Sequence, residues 1–402
     1  MDIENTIKVL LNGCVKHSDI EEIKSKLKKI NSDNRPLIIK LGLDPSAPDI
    51  HIGHAVVLRK IRQLQELGHE AIVIIGDFTG MIGDPTGKAK TRKQLSRQEI
   101  EANAETYKSQ IFKIIDKNKT TVKFNSEWLD KLSLKDVISL ASKCTVAKML
   151  EREDFKKRYI NHQSISIHEF FYPLLQAYDS VATKADIEFG GTDQIFNVLM
   201  GRNIQRYFGQ EPQLTFFLPL LEGTDGIEKM SKSLGNYVGI SEEPPSIYTK
   251  IMKIPDNMII KYYELCTDVH PDKISEIKKE LKAKNPRDVK MSLAKEITTL
   301  YCGKDNAEDA EKYFKSVFWK QETPNNATKI KIPKNSSNFI FDFINVITET
   351  GDFKSKSEIK RLFEQRSVKI NGSVITEIQS ISELHGEATL QIGKSHIYKL
   401  YK

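Results

Sequence analysis

The chain has 402 residues, 39% apolar and 29% charged. At roughly 150 residues per domain this predicts two or three domains with sizeable cores and excludes both a single small module and a disordered chain. Lysine and arginine outnumber aspartate and glutamate by 61 to 54, and the net charge of +7 suits contact with phosphates without specifying it.

The N-terminus interleaves Asp2, Glu4 and Lys8 with its apolar residues, unlike a secretory leader. The longest core-like run, Ala71–Ile75, is strand-sized and far below the roughly 18 residues of a membrane helix. A cytoplasmic chain with no membrane partner is expected. Cys14, Cys144, Cys266 and Cys302 are scattered with no CxxC pair, so they read as buried free thiols, and no metal held by the protein is expected.

In chain order, a strand at Leu37–Leu41, a helix from about Gly53 to Leu67 closed by Gly68, and a strand at Ala71–Ile75 make a βαβ unit. Such a unit implies a parallel sheet with ligands beyond the carboxyl ends of its strands, which directs attention to residues 42–54 and 76–92. Helices are expected around 96–115, 133–142 and 192–208, with a strand near Asp186–Phe189 running into Gly190 and Gly191. The fold class is therefore α/β: a Rossmann-like catalytic domain over 1–221 with an inserted helical segment, then a helical domain over 222–320. In that second domain Ile274, Ile277 and Leu281 recur at helical spacing. Residues 321–338, with two prolines among Asn, Ser and Thr, read as a linker. A small α+β module over 339–402 follows, with a helix at Phe339–Thr350 and strands turning at Asn371-Gly372.

Two segments carry the chemistry. Asp44-Pro-Ser46-Ala-Pro-Asp-Ile-His51-Ile-Gly53-His54 joins the first strand to the helix. Free N–H groups at a helix start favour phosphate, Gly53 leaves room for a flat base, and imidazoles can donate to phosphate oxygens. Taken alone, the same histidines also fit a surface pair or half of a metal site. Lys229-Met230-Ser231-Lys232-Ser233 lies between Gly223, Gly226 and Gly235. Two ammonium groups on a glycine-flanked loop can close over a polyphosphate and neutralise charge on a leaving group; a solvated lysine-rich loop is the plain alternative. Tyr172, Gln176 and Asp179 stand at i, i+4 and i+7 among Phe170, Phe171, Leu174 and Leu175, so a helix would put them on one face. Pro173 fits that helix only in its first turn without a kink.

His51-Ile-Gly-His54 with Lys229-Met-Ser-Lys-Ser233 resembles the signature pair of class I aminoacyl-tRNA synthetases. Nearly the whole chain resembles the tyrosyl-tRNA synthetase family, and Gly190-Gly191-Thr-Asp193-Gln194 and Lys229-Met-Ser-Lys-Ser-Leu-Gly-Asn-Tyr-Val-Gly239 resemble its second bacterial branch. The resemblance implies that Tyr172, Gln176, Asp179, Asp84, Gln194 and Asn125 bind tyrosine, with Trp128 beside them. Asp44, Ser46, His51, Gly53, His54, Gly191, Asp193, Lys229, Met230, Ser231 and Lys232 would bind ATP. His51, His54, Lys229, Lys232, Lys88 and Arg92 would serve the phosphates. ATP is then a substrate, with Mg2+ carried on it. Lys40 departs from the better-known branch, which has tyrosine there, leaving open whether Lys40 points inward or another group completes the phenol site.

The tail resembles the small RNA-binding domain first known from ribosomal protein S4. From Lys354 to Lys369 it carries six basic and two acidic residues, and Lys356, Lys360, Arg361, Arg366 and Lys369 are the expected RNA contacts. An exposed charged helix with no partner is the alternative. The implied activity is tyrosine–tRNA ligation by a homodimer acting on tRNA(Tyr), L-tyrosine and ATP. A tryptophan-specific synthetase or a non-catalytic RNA-binding relative would share part of this pattern.

Overall fold

The computed structural model describes residues 2–45, 50–85, 97–283, 285–318, 328–333, 339–353, 355–375, 381, 384, 386–393 and 396–401. The chain divides into two compact units, Met1–Cys302 and Gly303–Lys402.

The first unit is built on strands β1 (Lys16–His17), β2 (Ile38–Leu43), β3 (Glu70–Ile75), β4 (Thr120–Phe124), β5 (Ile187–Gly191) and β6 (Leu214–Leu218), in the order β1-β6-β5-β2-β3-β4. All neighbours are parallel except β1 against β6. Ile39, Leu41, Val73, Ile75, Ile187 and Phe216 are buried, as expected of strands covered by helices on both faces. The chain winds outward from β2 through β3 to β4, then returns to place β5 and β6 on the other side of β2. That reversal opens a crevice at the carboxyl ends of β2 and β5, the place where sheets of this kind bind ligands.

Helix Ile52–Glu66 connects β2 to β3, and Arg97–Ile111 lies between β3 and β4. The insertion between β4 and β5 holds Ser126–Leu129, Leu134–Ala141, Val146–Met149, Glu153–Ile160 and the long helix Ile167–Thr183. This last helix is held at its start by a buried ion pair, Arg158 Nη1 to Glu169 Oε2 at 2.6 Å. Pro173 lies in its interior, beyond the first turn, and the helix runs on through it. Tertiary packing overrides the local penalty of a proline there.

Helices Pro244–Met252, Ile259–Cys266, Pro271–Ala283 and Pro286–Cys302 belong to the same unit as the sheet. The division therefore falls at 302/303, earlier than the border expected at 320, and helix Lys304–Phe318 groups with the C-terminal residues. Most of the segment read as a linker lies outside the described residues, but Thr328–Lys331 forms strand β7. Its single buried apolar residue, Ile330, is too weak a pattern to stand out between prolines.

In the second unit β7 runs parallel to β11 (His396–Tyr401), followed by β10 (Ala388–Ile392), β8 (Val368–Ile370) and β9 (Ser373–Val374) in antiparallel succession. Helices Phe339–Glu349 and Lys356–Glu364 supply Phe339, Phe343, Ile347, Ile359 and Phe363 to a core shared with Leu390 and Leu400. Asn371 and Gly372 both take positive φ, 46° and 82°, as a tight hairpin requires. Of the cysteines only Cys266 is buried; the other three are half-buried. Among the described residues no helix is long and apolar enough to cross a membrane.

Candidate active site

A cavity of about 250 Å³ occupies the crevice. Its wall brings together Asp44, His51, Gly53, His54, Asp84, Asn125, Tyr172, Gln176, Asp179, Gly191, Asp193, Gln194, Lys229 and Met230, residues drawn from both halves of the first unit. Ser231 and Lys232 are not part of that wall. Ser46, Lys88 and Arg92 lie outside the described residues.

Helix Ile167–Thr183 presents Tyr172, Gln176 and Asp179 to the cavity. The carboxylate of Asp179 is 3% exposed and accepts the indole N–H of Trp128 at 2.8 Å and the Asn125 amide at 3.4 Å. Burial pushes its pKa up to about 7, against the opposing pull of Lys40, Trp128 and Asn125. The Tyr172 hydroxyl donates to Asp44 Oδ2 at 2.8 Å, and burial, with Asp44 next, pushes this phenol well above its usual range. Asp44 Oδ1 accepts from Thr79 Oγ1 at 2.9 Å, and Thr79 in turn accepts from Asn125 Nδ2 at 3.0 Å. A Cβ at Gly76 would sit 2.0 Å from Asp44 Oδ1 and 2.3 Å from the Thr79 hydroxyl, so this cluster needs glycine there. Gln176 Oε1 is buried without a hydrogen-bond partner.

Beside this cluster Asp84 accepts from Gln194 Nε2 at 2.9 Å and from Arg152 Nη2 at 3.1 Å. Arg152 also bonds Asp154 at 2.8 Å and Asn197 at 3.1 Å, and Asn197 returns a bond to Gln194 at 3.0 Å. Arg152 and Thr79 were not singled out from the sequence, since an arginine within Glu151-Arg-Glu-Asp154 carries no local signal beyond charge.

Also on this wall, His51 caps helix Ile52–Glu66 and stacks on His54 with ring centroids 3.8 Å apart. Both imidazoles are held neutral. Burial, then His54, Lys229 and Lys232, pushes His51 down to about 2; burial and the same two lysines push His54 down to about 4. His51 Nδ1 is buried with no hydrogen-bond partner. The lysine segment is joined to the histidine segment through the main chain: Ile52 N donates to Val238 O at 2.9 Å and Ile240 N to Ile50 O at 3.1 Å, around a bridge between His51 and Gly239. Lys229 Nζ lies 2.5 Å from Asp193 Oδ2. Lys232 opens a short turn and its ammonium stands 5.7 Å from the Tyr237 ring. Asn236 staples this segment, accepting from Ser231 N at 2.8 Å and donating to Asp225 Oδ2 at 2.7 Å.

Lys40 is completely buried beneath this pocket and does not line it. In the second unit Lys356, Lys360 and Arg361 are exposed on one helix, Arg366 is exposed just after it, and Lys369 is half-buried on β8.

A parallel sheet reversing beside a pocket that joins stacked signature histidines to a signature lysine defines a class I tRNA synthetase. The family model for "tRNA synthetases class I (W and Y)" matches residues 31–319. The chain is 57% identical over 401 residues to tyrosine–tRNA ligase 2 of Clostridium acetobutylicum, covering 99% of each chain. It is 51% identical to the tyrosine–tRNA ligase of Carboxydothermus hydrogenoformans over 99% of this chain and 98% of that one. The chain belongs to the bacterial tyrosyl-tRNA synthetase family. Its fold matches tyrosyl-tRNA synthetase complexed with L-tyrosine from Archaeoglobus fulgidus at a TM-score of 0.62 and 24% identity, over 77% of this chain and all (100%) of that one.

Proposed function

We propose that the chain activates L-tyrosine with ATP and transfers the tyrosyl group to the 3′ end of tRNA(Tyr). The observation that carries this reading is one cavity whose wall holds both the buried carboxylate of Asp179 and the side chains of His51, His54 and Lys229. A phenol donates its O–H to Asp179, and Gln176 Oε1, buried and unpaired, offers a further acceptor to the bound amino acid. Asp84, oriented by Arg152 and Gln194, faces the α-ammonium.

The tyrosine carboxylate, already ionised at neutral pH, attacks the α-phosphorus of ATP. A new bond forms between a carboxylate oxygen and phosphorus, giving a mixed anhydride; the α–β phosphoanhydride bond breaks, and pyrophosphate leaves with the electron pair. No general base is needed. His51 and His54 are neutral and act as N–H donors, while Lys229 and Lys232 offset charge moving onto the leaving group. Lys88 and Arg92 add to this positive field. Asp44, Ser46, Gly53, Gly191, Asp193, Met230 and Ser231 cradle the nucleotide. Magnesium enters as part of the nucleotide substrate, where it neutralises triphosphate charge. A ribose hydroxyl of the tRNA then displaces AMP from the adenylate.

The second unit supplies an S4-like RNA contact through Lys356, Lys360, Arg361, Arg366 and Lys369, four of them exposed. Homodimerisation is supported by Leu134, Ile138, Val146, Tyr159, Ile160 and Ile167, each more than 60% exposed on successive helices of the insertion. Such substrates place the chain in the cytoplasm. The deciding experiment is pyrophosphate exchange into ATP with each amino acid in turn. Exchange with tyrosine alone is expected; equal exchange with tryptophan, or tRNA binding with no exchange at all, would overturn the assignment.

A further inference from the structure

Lys40 on β2 and Glu188 on β5 are direct register partners across the two strands between which the sheet reverses. Their side chains are 0% and 2% exposed, and Lys40 Nζ lies 2.9 Å from Glu188 Oε1. The remaining donors of that ammonium are also used, on Ser180 Oγ at 2.8 Å and on the Gln176 carbonyl at 3.1 Å. The Ser180 hydroxyl in turn donates to Glu188 Oε2 at 3.3 Å, and Gln213 donates to the same oxygen. The network is sealed from behind by helix Ile195–Tyr207, where a Cβ on Gly201 would lie 2.8 Å from both Ser180 Oγ and Gln213 Nε2.

Gln176 and Ser180 flank Asp179, three residues before it and one after it. Lys40 therefore grips the helical turn that carries the carboxylate and sets a positive charge beneath it without entering the cavity. A buried ion pair contributes little net stability compared with well-packed apolar residues, so stability alone gives no reason for charges at these two positions. We propose that Lys40 and Glu188 form a positioning pair that holds the Asp179 turn against the sheet and sets the ionisation of that carboxylate, and hence the grip on the phenol. Lys40 does not line the cavity, and Glu188, although part of its wall, has its carboxylate oxygens bound to Lys40, Ser180 and Gln213, so the pair is assigned to positioning Asp179 and not to the reacting atoms. The inference rests on the tyrosine-binding reading given above.

The charged groups acting on Asp179 from the elements packed against it are Lys40 and Glu188, while Trp128 and Asn125 are neutral donors; Lys40 favours the carboxylate more than Glu188 opposes it. The two substitutions must therefore act with opposite sign. The test is the KM for tyrosine in pyrophosphate exchange between pH 6 and 9, with tyrosine binding followed by calorimetry. K40M is expected to move the acidic limb to higher pH, raising KM about tenfold near neutrality for each unit moved, with kcat little changed and KM recovering at pH 9. E188Q is expected to move the same limb to lower pH.

Shifts in the same direction, or profiles that coincide with the unaltered chain, would overturn the proposal, since a structural pair would injure the site alike from either side. Should K40M fail to fold, K40M/E188Q leaves no unpaired buried charge and carries the test. Its limb is expected above that of the unaltered chain, and an unchanged limb overturns the proposal. Absence of tyrosine-dependent exchange in the unaltered chain would instead defeat the tyrosine reading itself.

Discussion

The indole N–H of Trp128 donates to Asp179 Oδ1 at 2.8 Å, so a buried acid on the cavity wall is oriented by a side chain from the insertion. With Asn125 on its other oxygen, Asp179 keeps lone pairs directed at the cavity. Filling that site with phenylalanine would leave a buried acceptor unmatched, at a cost of about 1–3 kcal/mol or more. Asp179→Asn is expected to reduce the preference for tyrosine over phenylalanine by at least about tenfold, read as the ratio of kcat/KM values in exchange. Trp128→Phe should raise the KM for tyrosine several-fold while leaving kcat nearly unchanged.

Arg152 joins Asp84, Asp154 and Asn197, and its removal takes a cationic partner from two carboxylates at once. Arg152→Met is expected to raise the KM for tyrosine by about tenfold, the scale of one charge-assisted hydrogen bond, and to lower the melting temperature. Steady-state exchange and a thermal melt measure the two effects separately.

In the mechanism proposed above, Lys229 and Lys232 offset charge that develops as pyrophosphate departs. Replacing either by glutamine should lower kcat for activation by about a hundredfold or more, as removal of one donor to a developing anion does elsewhere. The KM for tyrosine should scarcely move, because both lysines are assigned to the phosphates and not to the amino acid. A comparable rise in KM for tyrosine would contradict this division of labour.

The histidine pair and Asp179 give opposite signs to the pH dependence of stability. His51 and His54 titrate below their unfolded value in the folded chain, so the stability they contribute is full above about pH 6.5 and is lost as acidity increases toward pH 4. Asp179 titrates above its unfolded value, so protonation between about pH 7 and pH 4 favours the folded chain. His54→Asn should therefore flatten the loss of stability between pH 6.5 and 4. Nitrogen NMR of the unaltered chain at pH 6 should show both rings neutral.

Reversing Lys360 and Arg361 to glutamate removes two cations from the exposed face of helix Lys356–Glu364. Binding to tRNA should weaken, and the slope of log K against log salt should fall by roughly two phosphate contacts. Tyrosine-dependent exchange without tRNA should be unchanged, and a fall in that exchange would count against an RNA role for this face.

The parallel sheet was legible because apolar strands alternate with a helix of clear period, as in Ile38–Leu43, Ile52–Glu66 and Glu70–Ile75. The pocket was legible because Tyr172, Gln176 and Asp179 share one helical face and because two short motifs supply His51, Gly53, His54, Lys229 and Met230 to the same wall. Arg152, Thr79 and the Lys40–Glu188 pair were not, since their roles arise only when strands and helices far apart in sequence are brought together. Local periodicity holds no record of such contacts. The same limit explains β7, whose pairing with β11 joins residues some 70 apart. It also explains the run of Pro173 through its helix, where packing by Leu174, Leu175 and Ala177 outweighs a local breaker.

The main-chain bridge between His51 and Gly239 has a bearing on biosynthesis. The two halves of the proposed nucleotide cradle are nearly two hundred residues apart along the polypeptide, yet each is propped by the other's backbone. A nascent chain halted soon after β6 would have both sheet edges and the amino-acid end in place, but its histidines would lack their support. Competence to handle triphosphate thus arrives late in translation, when residues near 240 have emerged, and a truncated product could hold the amino acid without being able to spend ATP on it.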